Sequence, residues 1–302
     1  MNAASSVGGQ RASIRGSQIA ARSLGLVRRN PLPTTGAVIL TTYIVAALAA
    51  PVIAPYKPNQ MILDSRTGVV ERLQSPSWHH FFGTTDIGQD VFSQTVYGAR
   101  VALIVGLTSA LIVTIVGGLV GLVAGYYGGH VDGILMRAAD VAYSIPFEPF
   151  AILVVGMFHR GLSDIVFAIA LVMWRAPGRV VRAQTLSLAQ RPFVKAARVA
   201  GVSGPRIILR HLAPNVMPFI GLYAAVTVGW AVVAEATISF LGFGDSTHIS
   251  WGVMLQTAFA TGAVNEALWW TIAPGLATAI FVASVFLLAR GLEHDATAAP
   301  VT

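Results

Sequence analysis

Apolar residues along this chain gather into long unbroken runs rather than into half-polar stripes. Six runs stand out, at residues 36–53, 101–126, 145–158, 162–174, 219–240 and 269–289. A helix crosses the hydrocarbon core of a membrane with about 20 apolar residues, so the pattern predicts an all-α membrane protein with six transmembrane helices. The third and fourth runs are short and are joined by "HRGLS"; they read as a helical hairpin whose ends extend into the flanks. The stretch before the first run is rich in Arg, Ser and Gly. Tail and run are both too long for a secretory signal peptide. The first run is therefore expected to be a retained span and the tail to be mostly disordered. The expected division is a tail over 1–35, a first helix with an external loop over 36–100, a core transmembrane unit over 101–292 and a C-terminal tail over 293–302.

Composition sharpens this picture. The chain has 302 residues, 55% apolar and 11% charged, far from the roughly 25% charged of soluble domains. So few charges cannot cover a soluble surface of this size. The net charge of +7 does not point to nucleic acid, because the basic residues flank apolar runs instead of forming one basic face. They give an orientation instead. With the N-terminus inside, Arg11, Arg15, Arg22, Arg28, Arg29, Arg137, eight residues between the fourth and fifth runs, and Arg290 fall on the cytoplasmic side. Lys57, Arg66, Arg72, Arg100 and Arg160 fall outside. Fifteen against five is a positive-inside bias that places both termini in the cytoplasm. There is no cysteine, which excludes disulfides, thiolate metal sites, Fe–S clusters and a cysteine nucleophile within this chain.

One segment carries more organisation than topology needs. "FVKAARVAGVSGPRIILRHLAPN", residues 193–215, holds four Lys or Arg residues and no carboxylate. Val194, Ala197 and Gly201 recur at helical spacing, and the helix is expected to stop near Gly201. A second helix can begin with Ser203 as its cap and Pro205 in its first turn. Ile207, Ile208 and Leu212 then form an apolar stripe before Pro214. The prediction is two short helices with a sharp turn, a compact knob presented to a partner.

This loop resembles the EAA-type cytoplasmic loop of ABC importer permeases, in the version found in dipeptide and oligopeptide permeases. Ala196, Ala197, Gly201, Arg206, His211, Pro214 and Asn215 fall on matching positions, with Arg198 inside the same stretch; Lys195 stands where the family leads one to expect an acid. Four further segments resemble the C-type subunit of the peptide permease pair, in order along the chain: "APVIAPYKPNQ", "FGTTDIGQDVFSQTVYGARVALIVG", "GGHVDGILMRAADVAYSIP" and "EATISFLGFG" with "SWGVML". The resemblance implies a type I ABC importer permease fold, with the loop as a coupling helix that docks on an ATPase subunit. It also implies a heterodimer with a homologous permease, two cytoplasmic ATPases, an external substrate-binding protein and a bacterial inner-membrane location.

Other residues carry narrower expectations. Gly117, Gly121, Gly125 and Gly129 recur every four residues along the second run, a spacing that lets helices approach closely in lipid. Glu235 lies deep in "GWAVVAEATISFLG". A carboxylate there is costly and is by default a functional candidate; a structural role and a place on the transport pathway remain equally open. Asp132, Arg137 and Asp140 are spaced for a local ion network along one helix. Trp269 and Trp270 read as interface anchors. His79 and His80 are adjacent, with no third ligand at useful spacing, and carry no metal expectation.

The chain has two lysines, Lys57 and Lys195, and neither follows a glycine, so the phosphate-binding Gly-Lys-Ser/Thr signature is missing. No catalytic set is evident, and the chain is not expected to be an enzyme. If ATP drives transport, ATP and Mg²⁺ belong to partner subunits, which is why such a chain needs a docking loop. The reading is a permease subunit for dipeptides or oligopeptides, bound to no cofactor of its own. The alternatives are import of nickel or another small solute, and a transporter driven by an ion gradient.

Overall fold

The computed structural model describes residues 31–298 apart from positions 65, 159, 160 and 246, with side chains described up to Glu293. The five N-terminal arginines used for orientation, Arg160, and most of the expected tail lie outside the described residues. The first helix, α1 (Pro31–Leu48), begins before position 36 and is followed by a short turn of helix, α2 (Ala50–Ile53). Then come α3 (Val91–Tyr127), α4 (Gly129–Ser144), α5 (Phe147–Met157), α6 (Leu162–Met173) and α7 (Arg175–Ala189). The chain continues through α8 (Pro192–Val199), α9 (Gly204–Ile207), α10 (Ala213–Ile238), α11 (Trp251–Ala260) and α12 (Leu268–Ala298).

Among the described residues, four stretches are long and apolar enough to cross a membrane: Pro31–Leu48, Val91–Tyr127, Gly204–Phe243 and Leu268–Glu293. A fifth is the pair α4 and α5, bent by 89° at their junction. The bend follows from sequence: Ile145 and Pro146 are extended, because a residue before proline is pushed out of the helical region. The fourth predicted run, 162–174, is the 12-residue α6. It runs on through the helical Trp174 into α7, whose Arg175, Arg179 and Arg182 end its apolar character. The expected hairpin of the third and fourth runs is present as α5 packed on α6, through Val155, Ile165 and Ile169.

At 37 residues, α3 is about 55 Å long, well beyond the ~30 Å hydrocarbon core. Its N-terminus is capped by Asp90, whose Oδ2 accepts from the Ser93 N–H at 2.7 Å. It touches every layer of the core. Near its start, Val91 and Ala102 pack with Trp251, Trp270 and Phe281. On another face of the same stretch, Val101 and Val105 pack with Ala151, Ile165 and Ile238. Near its end, Leu122 packs with Val181, Val194, Ile207 and Leu212.

Three expectations are corrected here. Trp270 is not an interface anchor: it is 2% exposed in the first layer, and Trp269 leans on the external loop, its Nε1 donating to Thr84 O. Gly129 is not on the glycine-bearing helix, because α3 ends at Tyr127; Gly129 opens α4 with φ +51 and has nothing within 4 Å of where a side chain would start. Asp132 and Asp140 do not pair along α4 with Arg137. They reach across to α7, Asp132 to Arg182 and Asp140 to Arg179. Asp132 is five residues from Arg137, too far round the helix to face it; Asp140 is three away, but Arg179 of the neighbouring helix lies in salt-bridge contact with it.

Candidate functional site

The basic loop is a knob of two short helices standing on the end of α3. Helix α8 ends at a left-handed residue, Gly201, with φ +77. The Val202 N–H bonds Ala197 O at 3.0 Å and the Gly201 N–H bonds Arg198 O at 3.0 Å. This pair of reversed bonds is a Schellman ending, and only glycine enters its left-handed position without a steric penalty. Ser203 stands at the predicted cap position of α9, but its side chain makes no capping bond; its carbonyl accepts from Ile207 N–H instead. Pro214 does not end the helix. The chain passes from α9 through one wide turn, Ile208–Leu212, into α10, and the Ala213 N–H bonds Ile208 O five residues back. The wide turn absorbs the missing donor of Pro214. Asn215 Nδ2 donates to His211 O at 2.6 Å across the same turn.

The knob has two faces. Val194, Ile207 and Leu212 are fully buried against Leu122, Val181 and Leu188. Lys195, Ala196, Arg198, Gly201, Arg206 and Arg210 are exposed. Val199, an apolar side chain at the tip, is 91% exposed. The Arg198 guanidinium lies over the Tyr126 ring at 4.8 Å from its centre, and Gly204 comes close to Tyr126 and Tyr127. No acidic residue occurs between Asp164 and Glu235, so no carboxylate of its own segment neutralises this face. Val199 is thus an exposed apolar side chain in a segment whose Lys195, Arg198, Arg206 and Arg210 are also exposed.

Under the knob, α3 and α7 pack backbone to backbone. A side-chain carbon on Gly117 would fall 2.6 Å from Trp174 O, one on Gly121 2.6 Å from Gly178 O, and one on Gly125 2.6 Å from Thr185 Cβ. Three of the four spaced glycines thus mark one close helix contact, which in lipid is held by dispersion and not by burial from water.

Glu235 is 2% exposed and accepts from Ser239 Oγ at 2.6 Å. It faces α11, beside the approach of Gly252 to Ala236 and Ser239. The opposite face of α10 lines a cavity of about 390 Å³. Its wall is Tyr223, Thr227, Trp230 and Thr237 from α10, facing Tyr143, Glu148 and Arg175 from the α4–α5 bend and the start of α7. Glu235 is not among the cavity residues. The cavity was missed in the sequence because its walls come from three separated segments; the only signal was the helical spacing of 223, 227, 230 and 237.

Outside the spans, residues 54–90 form a folded loop. His80 is buried and held by both ring nitrogens, Nε2 to Glu71 Oε2 at 2.8 Å and Nδ1 to Asp90 Oδ1 at 3.0 Å. Its neighbour His79 is apart from this set, so the adjacent histidines do different things. Burial, with Asp90 and Glu71 nearby, pushes the Tyr56 phenol up.

Comparison with known proteins places these features. Residues 117–297 match the family model of the binding-protein-dependent transport system inner membrane component. Residues 26–76 match the N-terminal transmembrane domain of oligopeptide transport permease C. The chain is 36% identical to the dipeptide transport system permease protein of Bacillus subtilis, over 82% of this chain and 75% of the relative. It is 33% identical to the protein of the same name in Alkalihalophilus pseudofirmus, over 88% and 86%. It is 34% identical to the oligopeptide transport system permease protein of Haemophilus influenzae, over 82% and 78%.

Proposed function

Since the chain belongs to the family of binding-protein-dependent transport system inner membrane components, we propose that it is a permease subunit of an ATP-driven importer for dipeptides or oligopeptides. It forms the passage together with a second, homologous permease. Two cytoplasmic ATPases carry ATP and Mg²⁺, and an external binding protein delivers the substrate. This chain has no ATP site of its own and makes or breaks no bond. Both termini and the knob face the cytoplasm of a bacterial cell, with residues 54–90 outside; the distribution of basic residues supports that orientation.

One observation carries the mechanism: the knob is continuous with the cavity wall. From Gly204 the chain runs through Ile208–Leu212 into α10 without a break. Two docked ATPases that close on ATP would displace α8 and α9. Val194, Ile207 and Leu212 bear on Leu122, Val181 and Leu188, so the push passes to α3 and α7. The same push tilts α10, and with it Tyr223 and Trp230 of the cavity wall. Densely packed contacts transmit such displacements because they cannot be compressed.

The test is uptake of a labelled peptide into proteoliposomes holding the four-subunit complex, with the binding protein added. Uptake is expected to need ATP and active ATPases. Uptake that persists on an ion gradient with the ATPases inactivated would instead identify a gradient-driven transporter. Uptake of nickel in place of peptide would overturn the substrate reading, which the peptide-transport names of the relatives support.

A further inference from the structure

The cavity beside α10 is mostly apolar and aromatic, yet it holds one acid and one base. Glu148 lies in the first turn of α5 and Arg175 opens α7. Both line the cavity with Tyr143, Tyr223 and Trp230. The Arg175 guanidinium lies 4.6 Å from the centre of the Tyr143 ring, and Arg179 lies 4.2 Å from the same ring. Arg175 also donates to Val172 O at 2.8 Å through Nη1, which leaves its other donors for the cavity. Trp230 is 54% exposed, on the face of α10 opposite to the buried Ala231 and Val232.

Three physical arguments bear on what fills this space. Ionised groups among membrane helices are costly unless they face protein or a water-filled cavity, so a lipid-facing wall is a poor place for Glu148 and Arg175. Non-helical backbone at membrane depth is tolerated on the same terms, and the 89° break between α4 and α5 lies at this cavity. Finally, about 390 Å³ is within the range of small-molecule sites, which are apolar with a few placed polar groups. A free peptide matches that set: it carries an ammonium at one end, a carboxylate at the other and apolar side chains between.

We infer that this cavity is a transit site for short peptides, with Glu148 receiving the α-ammonium and Arg175 the α-carboxylate, while Tyr143, Tyr223 and Trp230 hold the side chains. The inference rests on the peptide reading above. It goes further by giving this chain two residues that read the substrate's termini after the binding protein has released it.

The test uses the full complex with its binding protein, in liposomes, with Trp230 replaced by the photo-reactive p-benzoylphenylalanine. Illumination during turnover with a radiolabelled tripeptide is expected to place the label on this chain. Adding Glu148→Gln should lower labelling by the free tripeptide roughly tenfold, the value of one charge-assisted hydrogen bond, and leave labelling by its N-acetylated form unchanged. Arg175→Gln should do the same for the free against the C-amidated peptide, and Arg175→Lys should restore part of the difference. Each comparison is a ratio within one variant, so reduced assembly cancels. Cross-links to the second permease or to lipid alone, or labelling indifferent to both charges, would overturn the site. Uptake without label overturns only the cavity assignment. Absence of peptide uptake by the parent complex with Trp230 in place, with ATP still hydrolysed on addition of binding protein, overturns the peptide reading as well.

Discussion

Arg182 grips Asp132 from the neighbouring helix with two donors, Nε to Oδ1 and Nη2 to Oδ2. Both side chains are partly shielded, so the pair is more than a surface contact and less than a buried one. It fastens α4, the limb before the 89° bend, to α7, the helix that α3 packs against. Removing either charge is expected to loosen that limb. Asp132→Asn and Arg182→Gln should each lower the thermal unfolding temperature in detergent. The double variant should fall short of the sum by roughly 1 kcal/mol, as a half-screened fork-shaped pair implies. Strict additivity would mean the pair contributes nothing.

The helical glycines of α3 and α4 separate into those that touch and those that do not. Gly121→Val would push a side chain into Gly178 O and Val181 and should destabilise by about 1–3 kcal/mol. Gly133 is a helical glycine with open space around it, so Gly133→Ala should be neutral or stabilise by up to ~1 kcal/mol. Unfolding followed by fluorescence in detergent distinguishes them, and equal effects would refute the packing role of Gly121.

The tip of the knob offers a cleaner test of coupling than its turn. Gly201→Ala strains a left-handed position by roughly 1–2 kcal/mol and so mixes folding with function. Val199 is almost wholly exposed, so Val199→Glu should leave stability within about 0.5 kcal/mol. The same change should abolish peptide-stimulated ATP hydrolysis by the assembled complex. Because the natural chain has no cysteine, Val199→Cys also reports orientation: an impermeant thiol reagent should label it from the cytoplasmic side only. Labelling from outside, or full ATPase coupling in the glutamate variant, would contradict the docking role.

Glu235 sits against Ser239 on the α11 side of α10, away from the cavity. Glu235→Gln keeps an acceptor for the serine and should leave uptake within about twofold of the parent. Glu235→Leu strands a buried hydroxyl and should cost about 1–3 kcal/mol, read as a lowered unfolding temperature. Lost uptake in the glutamine variant at unchanged stability would return Glu235 to the pathway.

What the sequence determined by itself was local. Run length placed the long apolar helices, and Gly201 with Pro205 marked the turn of the knob, because each signal acts within a few residues of where it is read. The stripe of Ile207, Ile208 and Leu212 gave the buried face of the knob for the same reason. Segment-by-segment resemblance gave the family. The tertiary structure decided which faces meet. It assigned Asp132 and Asp140 to arginines on α7 in place of Arg137, and moved Trp270 from an expected interface into the core. It ended the glycine stripe at Gly125, where the helix itself ends two residues later at Tyr127. It also brought Glu148, Arg175 and Trp230, far apart in the chain, around one cavity. Spacing along one helix fixes a direction but not a neighbour, and in lipid the choice of neighbour rests on shape and charge across helices.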